Sequence, residues 1–196
     1  VYKRQDYVKE ISQQFGFVNI GVTNYEADDV IGSLAHTYSD NNEVFIITGD
    51  RDILQCINEN VEVWLTKKGF TIYNRYTLDR FKNEYGLEPK QLIDVKAFMG
   101  DTADGYPGVK GIGEKTAIKL IQNHHSVENV IQNISTLIPA QQKKINDNIN
   151  NLHLSKSLAE IHTQVPLESE QLFNEMAYAH ELNEILSICN EHELYV

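Results

Sequence analysis

The chain has 196 residues, of which 41% are hydrophobic, and it carries 28 acidic residues against 17 Lys and Arg. That length and apolar content predict a soluble globular protein, built as one domain or as a domain with a smaller appendage. No run approaches the roughly 18 apolar residues of a membrane span, and residues 1–5 do not lead into a signal peptide, so we expect a cytoplasmic protein with no membrane partner. Cys56 and Cys189 lack a Cys-x-x-Cys spacing, which argues against a disulfide framework or a structural zinc site.

The formal net charge of −11 is distributed unevenly. Residues 64–119 contain ten of the 17 Lys and Arg residues against seven acidic residues, so the middle of the chain is locally basic. The acidic residues before this segment are clustered, and clustered carboxylates repel one another unless they hold cations. The acidic total therefore does not exclude a nucleic-acid partner, and the acidic clusters are candidates for metal binding.

The first half of the chain predicts alternating helices and strands. The predicted elements are a helix over 6–16, a strand over 17–22, a helix over 25–35, a strand over 44–47, a short helix over 53–57, a strand over 61–65 and an extended segment over 71–73. The continuous apolar run Val44–Ile47 is typical of a strand that is buried on both faces of a parallel sheet. This order indicates a doubly wound α/β unit, whose ligands bind at the carboxyl ends of the strands.

The second half predicts helices. They are expected over 77–85, 88–99, 113–123, 126–134, 139–150, 152–162 and 181–192, and Pro139 and Pro166 mark breaks. We therefore divide the chain into an α/β part over residues 1–86 and a helical part over residues 87–196.

Glu26, Asp28 and Asp29 crowd the first turn of the helix predicted over 25–35. Acidic side chains complement the dipole at a helix N-terminus, and each contributes about 0.3–1 kcal/mol when it is exposed. Three carboxylates in four residues also raise the cost of one another's charge, which a bound cation would relieve. The cluster therefore favours metal ligands over a simple cap.

Asp50 and Asp52 follow the apolar strand 44–47 at its carboxyl end. An aspartate at this place can also cap the short helix that follows, and for Asp52 alone that interpretation is as good as a functional one. The pair together, at the edge of the sheet where ligands bind, indicates a second group of metal ligands.

The stretch from Gly100 to Ala117 places two carboxylates beside a glycine-rich turn that opens a basic helix. Asp101 and Asp104 offer the hard oxygen ligands that Mg²⁺ prefers. The Gly-Ile-Gly sequence at 111–113 presents backbone N–H groups to an anion at a helix N-terminus. The alternative is a polar loop before an ordinary helix, and the neighbouring acids weigh against it. We expect a metal ion and a phosphate side by side.

The candidate ligands form three clusters, each at a strand end or a helix start. They are Glu26, Asp28, Asp29, Asp50, Asp52, Asp101 and Asp104. Two divalent cations about 4 Å apart need shared oxygen ligands of this kind, and such a pair stabilises the attacking and leaving oxygens of a phosphodiester that is cleaved in line. The residues therefore indicate metal-dependent phosphodiester hydrolysis.

Three motifs carry a resemblance to a known family. They are Tyr-Glu-Ala-Asp-Asp-Val-Ile-Gly at 25–32, Ile-Thr-Gly-Asp-Arg-Asp-Ile-Leu-Gln at 47–55 and Gly-Asp-Thr-Ala-Asp-Gly-Tyr-Pro-Gly-Val-Lys-Gly-Ile-Gly-Glu-Lys-Thr-Ala at 100–117. In their order and spacing the chain resembles the bacterial 5′-to-3′ exonucleases and flap endonucleases, which include the nuclease domain of DNA polymerase I and its stand-alone relatives. The resemblance covers nearly the whole chain, and segment 154–161 is similar to the family's C-terminal helical region.

The resemblance implies a fold and a set of ligands. The fold is a PIN-like α/β nuclease core with a parallel doubly wound sheet, followed by a helical region with a helix-two-turn-helix. Glu26, Asp28 and Asp29 resemble ligands shared with a first metal ion. The ligands of the second ion would be Asp50, Asp52, Asp101 and Asp104. The implied ions are Mg²⁺, with Mn²⁺ as an alternative, and K⁺ bound by main-chain carbonyls of the helix-two-turn-helix.

The helix-two-turn-helix is also the implied site of duplex binding. Its DNA-binding residues in this chain would be Gly108, Lys110, Gly111, Gly113, Lys115, Thr116 and Lys119. The implied function is that of a monomeric, structure-specific 5′ nuclease that cleaves DNA at 5′ flaps, nicks and duplexes with a 5′ single strand during replication and repair. The alternative is a non-catalytic DNA-junction binding module. A small metal-dependent ribonuclease of similar sheet topology is disfavoured because it would not need the turn at 100–117 or the helices beyond it.

Two departures from the family pattern shape these expectations. The usual Ser-Asp-Asn-Ile-Pro is replaced by Ala-Asp-Gly-Tyr-Pro at 103–107, which keeps the acid. The family also begins with a strand that carries an aspartate, supplies a second aspartate, and then forms an arch of basic and aromatic residues. Because these features are absent from the sequence, we expect an N-terminally truncated chain with an incomplete first metal site and impaired cleavage.

Overall fold

The computed structural model describes residues 2–69, 71–167 and 169–192. Its helices are α1 (Tyr2–Gln14), α2 (Ala27–Tyr38), α3 (Leu78–Tyr85), α4 (Leu92–Met99), α5 (Glu114–His124), α6 (Val127–Gln132), α7 (Pro139–Asp147), α8 (Ile149–Ala159), α9 (Ser169–Glu175) and α10 (Leu182–Glu191). Its strands are β1 (Val44–Thr48), β2 (Val61–Lys68) and β3 (Ile72–Tyr76), and short 3₁₀ segments cover Asp52–Cys56, Pro89–Gln91 and Ile134–Thr136. None of the described helices has the length and apolar character needed to cross a membrane.

The chain falls into two compact units. The first comprises Val1–Val30 and Gln164–Val196, and the second comprises Ile31–Thr163. The sheet and helices α3 to α8 belong to the second unit, α1, α9 and α10 belong to the first, and α2 begins in the first and continues into the second. The domain boundary expected between residues 86 and 87 stays a prediction.

The sheet has the strand order β1-β2-β3. β1 and β2 are parallel, as the sequence predicts. Val44 lies opposite Val61 in this pair. β3 begins four residues after the end of β2 and pairs antiparallel to it, with Val63 opposite Tyr76. The sheet is therefore mixed and not wholly parallel. A hairpin of this kind needs only a short connection, whereas a parallel pair requires a crossover.

One face of the sheet packs on the core and the other does not. Ile46, Val63 and Leu65 are buried, whereas Phe45 and Ile47 are 51% and 55% exposed. The prediction that the run Val44–Ile47 is buried on both faces is therefore wrong. The side chains alternate across the strand, and only the face that carries Ile46 is covered.

Helix α4 lies at the centre of the second unit, where it packs against α5 and α8. Val95, Ala97 and Phe98 are almost completely buried in this helix, and they join one core with Ile121 of α5 and Leu152 of α8. The carboxyl end of α4 leads directly into the acidic loop. The predicted helices of the C-terminal half are all present, with ends within a few residues of those expected.

The first unit departs from expectation at residues 17–22, which were predicted to form a strand. No strand forms there, because none of the described strands pairs with this segment. Side-chain contacts hold this segment instead of the backbone hydrogen bonds of a β-sheet. Phe17 stacks on Tyr178 with ring centroids 5.6 Å apart, and the Asn19 side-chain amide donates a hydrogen bond to the Lys9 carbonyl at 3.1 Å.

Candidate metal centre and phosphate-binding turn

The loop after α4 is closed by its own backbone. Asp101 and Tyr106 exchange two hydrogen bonds, 2.9 Å from Asp101 N to Tyr106 O and 3.0 Å from Tyr106 N to Asp101 O. Asp101 Oδ1 accepts a hydrogen bond from the backbone N of Ala103 at 2.8 Å. The Asp101 carboxylate thus shapes the turn that carries Asp104.

Two glycines meet at the base of this loop. Gly100 and Gly108 have φ angles of 70° and 59°, and a Cβ on Gly108 would lie 2.3 Å from the Gly100 nitrogen. Ser155 of α8 is fully buried, and its Oγ accepts a hydrogen bond from Gly108 N at 2.9 Å. Val109 N donates to Phe98 O at 2.8 Å. The loop is therefore fixed to both α4 and α8.

The fold brings three of the predicted ligands together. One carboxylate oxygen from each of Asp52, Asp101 and Asp104 lies within 4.8 Å of the other two, and within the described residues no other group of three His, Cys, Asp or Glu side chains meets this criterion. Asp52 opens the 3₁₀ segment after β1, and the other two lie on the loop after α4. Three carboxylate oxygens at this separation suit a hard divalent cation, so the residues fit the metal that the sequence predicts.

Lys96 holds two of these acids. Its Nζ lies 2.5 Å from Asp52 Oδ1 and 2.8 Å from Asp101 Oδ2, and the three side chains are 13%, 14% and 22% exposed for Lys96, Asp52 and Asp101. Burial lowers the pKa of Lys96, but the hydrogen bonds to Asp101 and Asp52 outweigh it, so its pKa is raised. The ammonium group therefore neutralises part of the negative charge of Asp52 and Asp101, and a divalent metal ion would neutralise a larger part.

The two carboxylates that share Lys96 differ in their electrostatics. The pKa of Asp101 is lowered, chiefly by its hydrogen bond with Lys96. The pKa of Asp52 is raised, because burial outweighs the effect of Lys96. Asp52 is thus the less well compensated charge, and a divalent cation would favour its ionised form. Lys96 was not among the residues predicted to form the site, although a lone lysine in the apolar stretch Val95–Met99 was a usable signal.

Asp50 supports Asp52 instead of joining the group of three. Asp50 Oδ1 accepts a hydrogen bond from the backbone N of Asp52 at 2.8 Å, and Asp50 N donates to Thr48 Oγ1 at 3.0 Å. Asp52 does not cap the short 3₁₀ segment, because the N-cap residue there is Arg51. A direct role of Asp50 as a metal ligand stays a prediction.

Glu26, Asp28 and Asp29 lie in the first unit. Asp28 and Asp29 occupy the first turn of α2, as predicted, and Asp29 Oδ2 accepts a hydrogen bond from the backbone N of Glu26 at 3.2 Å. This bond helps to cap the helix. The assignment of the three carboxylates to a first metal ion stays a prediction.

The glycine-rich turn exposes its polar groups. Val109 and Ile112 are buried beneath it, whereas Lys110, Lys115 and Lys119 are exposed. Helix α5 begins at Glu114 with Gly113 as its N-cap, and no side chain of the described chain forms a capping hydrogen bond there. A helix N-terminus without a side-chain cap can offer its amide groups to a phosphate. Lys144 of α7 supports the turn from behind, since its Nζ donates to Gly111 O at 2.8 Å.

Sequence models of one family match most of the chain. The 5′-3′ exonuclease N-terminal resolvase-like domain matches residues 1–86, and the 5′-3′ exonuclease C-terminal SAM fold matches residues 87–180. A 5′-3′ exonuclease of Bacillus subtilis (strain 168) is 48% identical over 162 residues, which are 83% of this chain and 55% of that protein. The chain thus spans about half the length of this curated relative.

Solved structures share the fold. The T5 5′-exonuclease with bound divalent metal ions (zinc) superposes with a TM-score of 0.72 at 19% identity, over 97% of this chain and 66% of that one. The bacteriophage T5 D15 flap endonuclease, in a pseudo-enzyme-product complex with DNA and metal ions, gives 0.59 at 20% identity, over 89% and 61%. The predicted α/β nuclease fold with a helical C-terminal region is confirmed. With both of its halves matched by models of the same family, the chain belongs to the 5′-3′ exonuclease family.

Proposed function

We propose that this chain carries catalytic residues of a structure-specific 5′ nuclease, which hydrolyses DNA phosphodiester bonds at 5′ flaps, nicks and duplexes with a 5′ single strand. One observation carries the proposal. Asp101 and Asp104, which meet Asp52 in the acidic group, lie on one continuous segment with the exposed glycine-rich turn, and Ser155 and α4 hold this segment in place. A metal site and a phosphate site on one rigid segment are what phosphodiester hydrolysis requires.

The metal ligands divide between two ions in this proposal. Asp52, Asp101 and Asp104 hold one ion, with Asp50 beside them, and the other ion is bound by Glu26, Asp28 and Asp29. Mg²⁺ suits an all-oxygen donor set, and Mn²⁺ is the alternative. A bound ion stabilises the charge on the attacking and leaving oxygens of the phosphodiester. The chain's own part is to keep the carboxylates in place through the hydrogen bonds that Asp52 N donates to Asp50 Oδ1 and Ala103 N donates to Asp101 Oδ1.

DNA binding in this proposal depends on the turn over residues 108–113 and the start of α5. The backbone amides at the start of α5 bind a phosphate, and Lys110, Lys115 and Lys119 add exposed positive charge nearby. Phosphate contacts position a duplex without reading its bases, which suits a nuclease that selects structure over sequence. Gly111 O already accepts a hydrogen bond from Lys144, so the K⁺ ion proposed here would use other main-chain carbonyls of the turn.

The remaining parts of the proposal come from the family resemblance. The protein would act as a monomer in the cytoplasm during replication and repair. Residues 1–86 would form part of the nuclease core, and residues 87–196 the helical DNA-binding region.

The second candidate function is a non-catalytic module that binds DNA junctions. The ammonium group of Lys96 favours it, because it already neutralises part of the charge on Asp52 and Asp101 without a metal ion. Both functions use the phosphate-binding turn. They differ in whether the acidic group binds a metal ion for catalysis.

Cleavage distinguishes the two candidates. The full 196-residue chain is incubated with a 5′-labelled flap substrate in Mg²⁺, in Mn²⁺ and in EDTA, beside a blunt duplex and a single strand of the same sequence. The nuclease proposal predicts products near the junction that require a divalent ion and that form slowly, because the sequence predicts impaired cleavage. Tight binding of the flap without cleavage in either ion would contradict it and favour the junction-binding module.

The lysines of the turn give a prediction about DNA binding. Lys115→Ala and Lys119→Ala should each weaken binding to duplex-containing substrates by a similar factor for every sequence, because a phosphate contact carries no base information. Each change should also lower the slope of log K against log salt by about 1. Fluorescence anisotropy over a salt series, on flaps of several sequences, measures both effects.

Lys82→Ala is the matched control. Lys82 lies on α3, where its Nζ pairs with Glu88 at 2.9 Å. We expect its salt slope to equal that of the unmodified chain. A loss of affinity that depends on the flap sequence would show that the turn reads bases, which is contrary to this prediction.

A further inference from the structure

Tyr106 carries a buried hydroxyl group that is unpaired among the described residues. The residue is 3% exposed, and within the part of the chain that the structure describes its hydroxyl oxygen has no hydrogen-bond partner. Burial of a hydroxyl without a partner is unfavourable, so buried tyrosines normally find one. Phenylalanine would fill the same space without this cost. The hydroxyl therefore calls for an explanation beyond packing.

The hydroxyl lies within electrostatic reach of the acidic group. Burial raises the pKa of Tyr106 to about 12, and the charges of Lys96, Asp52, Asp101 and Asp104 act on it as well. The backbone of Tyr106 also pairs with that of Asp101, so the ring and the acidic loop are held by one pair of hydrogen bonds.

Asp52 is the best acceptor for the hydroxyl. Both oxygens of Asp101 are engaged, since Oδ1 accepts from Ala103 N and Oδ2 faces Lys96. Asp52 faces Lys96 through Oδ1, and its charge is one of those that act on the Tyr106 hydroxyl. Asp52 is also held by Lys96 in the conformation that the structure shows.

We propose that Tyr106 is a positioning residue of the metal centre. In the metal-bound protein the Tyr106 hydroxyl would donate a hydrogen bond to the carboxylate of Asp52 and so hold this ligand in place. Carboxylates that ligate a metal are themselves commonly held by such outer hydrogen bonds, whose removal lowers metal affinity by roughly 10-fold to 100-fold. This inference rests on the metal site of the proposed function but not on DNA cleavage.

Tyr106→Phe tests the inference without any substrate. Binding of Mn²⁺ alone to the full chain is measured from the electron paramagnetic resonance signal of the free ion, with Asp52→Asn as the variant that lacks the acceptor. We expect Tyr106→Phe to weaken Mn²⁺ binding by about tenfold. In EDTA its melting temperature should stay equal or rise by about 2–4 °C, because the variant removes an unpaired buried hydroxyl.

Tyr76→Phe is the matched control. Tyr76 is 4% exposed, and its hydroxyl donates a hydrogen bond to Glu84 at 2.9 Å. This variant should melt lower in EDTA and bind Mn²⁺ as the unmodified chain does. The opposite responses of the two tyrosine variants separate a role toward the metal from a role in packing.

Three outcomes would overturn the inference. They are Mn²⁺ affinity of Tyr106→Phe within twofold of the unmodified chain, a fall in its melting temperature in EDTA as large as that of Tyr76→Phe, and Mn²⁺ binding that Asp52→Asn does not weaken. A chain that binds Mn²⁺ through Asp52 yet leaves flap DNA intact would contradict the proposed nuclease function alone. The Tyr106 comparison decides the inference in that case as well.

Discussion

Asp101→Asn is expected to abolish Mg²⁺-dependent cleavage of a 5′-flap substrate, with a loss in kcat of at least roughly 10²–10³-fold. The asparagine keeps a carbonyl oxygen that can accept the hydrogen bond from Ala103 N, so the loop retains its shape. What disappears is the negative charge that faces Lys96 and the metal ion. Binding of the flap should stay within a few fold, because a metal ligand acts chiefly in the transition state.

The measurement is single-turnover cleavage together with the binding affinity of the same flap in Ca²⁺. Asp52→Asn should behave alike, since Asp52 belongs to the same group of oxygens. Asp147→Asn is the control, because Asp147 is an exposed acid of α7 that pairs with Lys143. Full turnover in both Asp52→Asn and Asp101→Asn would show that the hydrolytic site lies elsewhere.

The convergence of Asp52 with Asp101 and Asp104 was within reach of the sequence. Asp52 follows a strand at its carboxyl end, where ligands of α/β sheets bind, and the other two acids precede a glycine-rich turn. Residue types and local spacing were enough to mark these acids as candidates. Their meeting within 4.8 Å depends on α4, which packs against the 3₁₀ segment that begins with Asp52 and leads directly into the loop of Asp101 and Asp104. No sequence motif describes the burial of α4.

The residues that the sequence analysis missed share one property. Lys96, Tyr106 and Ser155 act through partners that lie on other elements or on a tightly folded loop. Ser155 binds Gly108 N across 47 positions of sequence, and a serine in an ordinary helix carries no local sign of such a partner. Long-range packing, which single-sequence patterns do not encode, decides these contacts.

The errors in the sheet have a related cause. Residues 17–22 have a strand-like composition, but a strand exists only where another strand accepts its hydrogen bonds. The apolar run of β1 predicts burial on both faces, yet Phe45 and Ile47 remain about half exposed. Propensity describes what a segment can form, and the partners available decide what it does form.

Gly108→Ala should unfold the segment that joins the metal centre to the phosphate-binding turn. A Cβ at Gly108 would lie 2.3 Å from the nitrogen and 2.7 Å from the Cα of Gly100, and both are backbone atoms that cannot move aside. The φ angle of 59° adds the usual cost of a left-handed conformation, about 1–2 kcal/mol. We expect a total loss of stability above about 4 kcal/mol, which is exceptional for a single methyl group.

Gly69→Ala separates the two contributions. Gly69 has a φ angle of 54°, and apart from its chain neighbours no described residue lies within 4 Å of the place that a Cβ would take there. Its substitution therefore carries the conformational cost without the clash. Thermal unfolding should therefore show a much smaller fall for Gly69→Ala than for Gly108→Ala.

The functional consequence of Gly108→Ala is the stronger test. Gly108 is the first residue of the turn over residues 108–113, it follows the acidic loop closely, and Ser155 holds its nitrogen. One methyl group at Gly108 should therefore weaken Mn²⁺ binding and flap binding together. Two independent sites would not respond jointly to this change. If Gly108→Ala folds and loses affinity for flap DNA but binds Mn²⁺ as before, then the acidic loop and the turn are not one rigid segment. The positioning of phosphate against metal would then have to come from another part of the chain.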